Sequence, residues 1–204
     1  MNPAQIPQPE RLQRRPQHHG MPIPYTSLML PDGTPDFRVT DYQAWVDVVT
    51  NRKCALCGES ADLLLWFIGG AKCAEYRCFF DPAMHIDCAL YAIEVCPFLA
   101  CKSDYQPLAT GKAAKAGLKL DVSGIAADTR PDQFFMYATT GYQVGAVGED
   151  NVIHIPADAG FKVVPVPKER SAFTMTAWLA SMRELDARLT ESVRQQLQTQ
   201  LDHA

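Results

Sequence analysis

With 204 residues, 47% hydrophobic and 21% charged, the chain has an ordinary globular composition and can bury one core, or one core plus a small metal module. Its formal net charge of -4 argues against a general nucleic-acid binder, which is usually basic, though a local patch remains compatible with it. No apolar run is long enough for a signal peptide or a membrane span, so the expectation is a soluble cytoplasmic protein whose cysteines stay reduced.

Residues 1–36 are proline-rich and read as an extended arm. The first twenty carry Arg11, Arg14, Arg15, His18 and His19, and so few apolar residues that a solvated tail or a basic partner-binding arm is expected. Met21 to Leu30 is apolar enough to dock along a core in extended form. Thr40 or Asp41 can cap a short helix over Tyr42 to Arg52, with Ala44, Trp45, Val48 and Val49 as its apolar stripe.

That helix runs into the stretch from Cys54 to Cys101, which holds all seven cysteines. Residues 37–101 read as a zinc-binding module. Cys54 and Cys57 form a C-x-x-C pair, whose thiolates can converge on one ion, and Gly58 permits the turn that follows. Leu63 to Ile68 reads as a buried strand, Gly69-Gly70 as a turn and Ala71 to Cys78 as the returning strand. Asp81 and Pro82 read as N-cap and first residue of a helix ending near Cys96. On that helix His85 and Cys88 share one face about a turn apart. Cys54, Cys57, His85 and Cys88 then form a closed tetrahedral set for Zn2+ in a treble-clef-like arrangement. Buried apolar cysteines are the bland alternative, and disulfides are disfavoured by the odd count. Cys73, Cys78, Cys96 and Cys101 are spare, and Cys96, two turns beyond Cys88, is the best substitute ligand. Arg52, Lys53, Lys72 and Arg77 surround the module as candidate nucleic-acid contacts, although Arg52 and Lys53 also suit a helix C-terminus.

The run FIGGAKCAEYRCFFDPAMHIDCALYAIEVCPFL resembles a segment of a family of uncharacterised bacterial and phage-encoded proteins. The family pattern is a CxxCG knuckle, then F-[VI]-x-G-x-x-C-A, P-x-x-H-x-x-C-A and C-P-F-L. Matching residues are Cys54, Cys57, Gly58, Phe67, Gly70, Cys73, Ala74, His85, Cys88, Ala89, Cys96, Pro97, Phe98 and Leu99. The likeness covers the first half of the chain well and the second half in outline. It implies a metal-binding fold and supplies no biochemical role.

Residues 102–132 read as a loop or linker. Its Lys112, Lys115 and Lys119 form the most basic internal stretch, without the spacing of a phosphate loop. Residues 133–204 read as a second unit. Four β-rich runs, FFMYAT, YQVGAV, NVIHI and FKVVPV, predict a small antiparallel β-meander, with His154 pointing away from the face of Ile153 and Ile155. Ser171 or Thr174 starts a long C-terminal helix with Met175, Trp178, Met182, Leu185, Leu189, Val193, Leu197 and Leu201 at spacings of three or four.

The fold class expected is therefore α+β. Catalytic signatures are missing: H-x-E with a downstream P-C-x-x-C, H-E-x-x-H and G-x-S-x-G do not occur. The preferred reading is a non-enzymatic structural-zinc binding module for a protein partner. The alternatives are a zinc-dependent nucleic-acid-binding protein and an enzyme with a cryptic site.

Overall fold

The computed structural model describes residues 6–100, 131–147 and 150–203. In chain order the described elements begin with α1 (Glu10–Gln13), β1 (Gln17–His18), β2 (Met21–Pro22), β3 (Ser27–Met29), β4 (Pro35–Thr40) and α2 (Tyr42–Thr50). They continue with β5 (Leu65–Gly69), α3 (Ala71–Tyr76), β6 (Cys78–Phe79) and α4 (Ile86–Val95). The second half supplies β7 (Phe135–Thr139), β8 (Gln143–Val147), β9 (Asp150–His154), β10 (Lys162–Pro165) and α5 (Ala172–Asp202). The fold is α+β, with small antiparallel sheets and a long C-terminal helix.

The sheet β10-β7-β5 carries the architecture. Successive side chains on a strand point to opposite faces, and here both faces are apolar. Trp66 and Ile68 of β5, Met136 and Ala138 of β7 and Val164 of β10 join one cluster. Leu65, Phe67, Tyr137, Phe135 and Val163 join the other. The first face is covered by α4, the Cys54–Cys57 loop and the start of α5. The second is covered by α2, Phe79 and the β9 residue Ile153.

The 133–167 strands do not form the expected meander. β7 and β10 pair with β5, whereas β8 and β9 pair with β6 in the order β6-β9-β8. Strands apolar on both faces need cover on each side, and a free-standing meander would leave one face of β7 in water. Ala71 to Cys78 also departs from expectation. It is not the partner strand of β5 but helix α3, with Gly70 as N-cap and Arg77 in the left-handed region at φ 50 as its end, followed by β6. Ala, Lys, Cys, Ala, Glu and Tyr include good helix formers, and β7 occupies the β5 edge in their place, with Leu65 opposite Thr139 and Gly69 opposite Phe135.

Other elements follow their local signals. The Asp41 carboxylate accepts from Ala44 N–H at 2.8 Å and starts α2, which buries Trp45, Val48 and Val49. Ser171 Oγ accepts from Thr174 N–H at 3.2 Å and starts α5. Met175, Leu179 and Met182 are buried, Leu185 and Leu189 are half-buried, and the stripe beyond is largely exposed through Leu197 and Leu201. Among the described residues no helix is long and apolar enough to cross a membrane. Cys101 and the lysines at 112, 115 and 119 lie outside the described residues.

Residues 6–30 are packed rather than a free arm. Leu12 is 1% exposed and, with Ile6, belongs to the cluster that contains Cys54, Cys57 and Cys88. Tyr25 N–H donates to Leu56 O at 2.9 Å and Thr26 N–H to Ala55 O at 3.2 Å, which fixes the apolar stretch against the cysteine loop.

Candidate metal centre

Three pieces of chain bring four ligand-bearing side chains together. The first is the Cys54 turn. Gly58 N–H donates to Cys54 O at 2.9 Å, Cys54 N–H to Glu59 O at 2.8 Å, and Gly58 sits at φ 78. A Cβ on Gly58 would lie 2.5 Å from a ring carbon of Tyr25, so glycine is required here by backbone angle and by space. The second is the extended segment before α4. Met84 and Trp66 exchange backbone hydrogen bonds at 2.8 and 3.1 Å, and Ala55 N–H donates to Ala83 O at 2.9 Å. The third is the first turn of α4.

That pairing explains a difference from the sequence reading. The helix does not start at Asp81-Pro82. His85 is its N-cap, at φ -65 and ψ 154, and Ile86 its first residue. Proline at 82 favours a helix start locally, but the backbone at 83 and 84 is held extended by Ala55 and Trp66. His85 and Cys88 still flank one turn, now as N-cap and first-turn residue, and the helix N-terminus favours a thiolate at Cys88.

The ligand atoms of Cys54, Cys57, His85 and Cys88 all lie within 4.8 Å of one another, and all four residues are buried. His85 Nδ1 is 3.3 Å from Cys57 Sγ and 4.0 Å from Cys88 Sγ. Tetrahedral coordination with ordinary zinc bond lengths places nitrogen about 3.6 Å from each sulfur, so the spacing suits one ion at the centre. The far ring nitrogen, Nε2, is 2.9 Å from Ser60 O, to which it can donate. With the proton on Nε2 and donated to Ser60 O, the ring presents an unprotonated Nδ1 to the sulfurs, the tautomer a ligand needs.

The electrostatics point the same way. Burial opposes ionisation of Cys54, yet hydrogen bonds from Cys57 and Cys88 hold its thiol well below the usual range. Cys88 is pushed up, first by its pairing with Cys54 and then with Cys57. Burial works against protonation of His85, but Cys57 and Ser60 outweigh it and the imidazole is raised. Three thiols at this range cannot all ionise against one another, and a divalent cation removes the conflict by displacing their protons. The residues therefore fit a metal ion.

A shell of charge surrounds the cluster that composition does not reveal. Arg11, on α1, lies with Nη1 3.0 Å from His85 Nε2. It forms a pair with Asp62 at 3.2 Å and reaches Glu59 at 3.7 Å and Asp87 at 3.9 Å. The only sequence hint was Leu12, an isolated apolar residue in a polar stretch.

The remaining candidates are placed elsewhere. Cys96 is the C-cap of α4 and the cluster is formed without it. Cys73 lies on α3 and Cys78 on β6, both half-buried. Of the four cations, Arg52 donates to Thr140 O at 2.8 Å and Lys53 pairs with Asp47 at 2.8 Å. Arg77 donates to Pro156 O at 3.3 Å and its guanidinium stands 4.9 Å from the Phe161 ring centre, while Lys72 is exposed. His154 is half-buried on β9, opposite Cys78 of β6 and Gln143 of β8.

Comparison with protein-family models, with curated proteins and with solved structures gives no match.

Proposed function

We propose that the protein is a non-enzymatic module built around structural zinc, and that its surface serves a protein partner. One observation carries the reading: four buried side chains, three cysteines and one histidine, converge their ligand atoms within 4.8 Å. Zinc is the ion whose structural sites take Cys3His sets with four protein ligands, whereas catalytic sites keep a position open for water. A glycine-turned C-x-x-C loop and a second ligand pair at the start of α4 also support the treble-clef-like arrangement.

The protein-partner reading is favoured over nucleic acid by charge. The net charge is -4, and Arg52, Lys53 and Arg77 are engaged within the fold. Phosphate contacts would need such cations free to displace counterions.

Elemental analysis of purified protein tests the metal, with about one zinc per chain expected for a single structural site. Cys88→Ser should lower both metal content and stability, since structural zinc contributes on the order of 10 kcal/mol in small modules. Full stability after chelation would overturn the reading. Retardation of nucleic acid at micromolar protein in low salt would shift the partner class to the alternative.

A further inference from the structure

We propose that Arg11 is the counter-ion of the metal centre and that α1 is its outer wall, so that holding the metal and docking the N-terminal segment are one event. The inference rests on the structural-metal reading and concerns how that site is opened. Three thiolates and a neutral imidazole around a divalent cation leave one surplus negative charge in a buried place. Glu59, Asp62 and Asp87 add carboxylates nearby. Arg11 reaches all three, at 3.7, 3.2 and 3.9 Å, and stands 3.0 Å from the ligand ring at His85 Nε2. A guanidinium cannot lose its proton at ordinary pH, so this positive charge persists whatever the protonation around it.

The next residue closes the wall. Leu12 is 1% exposed and packs in the cluster that contains Cys54, Cys57 and Cys88. Arg14 adds a more exposed tie to Glu59 at 3.3 Å, and Tyr25 covers Gly58 of the cysteine turn. With Cys54, Cys88 and His85 fully buried, a chelator reaches the ion only when part of this cover moves. Once the ion leaves, the cysteine turn and the start of α4 are no longer tied to each other, and the surface that Leu12 and α1 rest on loosens. N-terminal release and metal loss therefore promote each other.

The experiment follows zinc transfer from the purified full-length protein to a coloured chelator. Arg11→Met should speed release about 10-fold or more, the range seen when a group supporting a metal ligand is removed. Arg11→Lys should restore part of the difference, and Arg194→Met, on the exposed distal part of α5, should match the wild type. Limited trypsin digestion reads the coupled half of the claim without any substitution. Cleavage after Arg11 and Arg14 should be slow in metal-loaded protein and fast after chelation, with cleavage in the distal part of α5 little changed. Equal release from Arg11→Met and wild type overturns the proposal while leaving the structural metal standing. So does trypsin cutting after Arg11 and Arg14 at the same rate with and without metal, which decides the matter even where Arg11→Met does not fold. A purified chain without divalent metal overturns both readings at once.

Discussion

The indole Nε1–H of Trp66 donates to the Asp186 carboxylate at 2.6 Å. Trp66 is fully buried as the second residue of β5 and Asp186 lies halfway along α5, so a single bond ties the central sheet to the C-terminal helix. Burial pushes the Asp186 carboxyl up, and the bond from Trp66 works against that push by favouring the charged form. Asp186→Ala strands a buried N–H and should cost about 1–3 kcal/mol in urea unfolding. Asp186→Asn keeps an acceptor and should cost less. In a double-mutant cycle, most of the cost of Asp186→Ala should disappear when Trp66→Phe is already present. Additive effects of the two substitutions would show that the bond contributes nothing to stability.

Leu12 supplies the second prediction. A leucine enclosed to 1% exposure beside the cysteines should cost about 2–5 kcal/mol when cut to alanine. Removal of residues 1–20 takes away Leu12 together with Arg11 and should lower the melting temperature and the retained metal. A truncated protein that melts like the full chain would show that the segment contributes nothing to the core.

Asp47 gives a pH dependence with a definite sign. Lys53 first, then Tyr25 and Asn51, donate to its carboxylate, and together they lower its pKa from 3.8 to about 2. Between those values the native protein binds fewer protons than the unfolded chain, so stability rises with pH across the window. The contribution is present above 3.8 and is lost as pH falls through about 2. Thermal melts through that acid range should show a steeper loss for the wild type than for Asp47→Asn. Parallel curves for the two proteins would show that the carboxylate is not held by these donors.

The convergence of Cys54, Cys57, His85 and Cys88 was legible because spacing suited to a metal places such groups together. C-x-x-C followed by glycine and H-x-x-C near a helix start place donors by local geometry alone. The α2 and α5 starts were legible for the same reason, since Asp41 and Ser171 act within three residues of themselves. What spacing could not convey was the long-range pairing. Pro82 signals a helix start, and it was overruled by backbone bonds from Ala55 and Trp66, residues far from it in sequence. Ala71 to Tyr76 alternates too weakly to separate strand from helix, and the answer depended on β7 taking the edge of β5. Leu12 was a hint too weak to place Arg11, because a lone leucine among polar residues carries no period. Their role is visible only once His85 and Asp62 are beside them.

The central sheet also sets a timetable for the protein as it is made. Every residue of the Cys3His cluster, and the N-terminal segment that covers it, has been synthesised by Cys88, whereas the strand that pairs with β5 begins only at Phe135. During that interval the run Leu65 to Ile68 has neither its strand partner nor the lid of α5, and each of its apolar faces is only partly covered. Unpaired strands of this kind are where nascent chains stick to one another. A metal centre that can close early would hold one end of β5 against Met84 while the rest of the sheet is still on its way out of the ribosome.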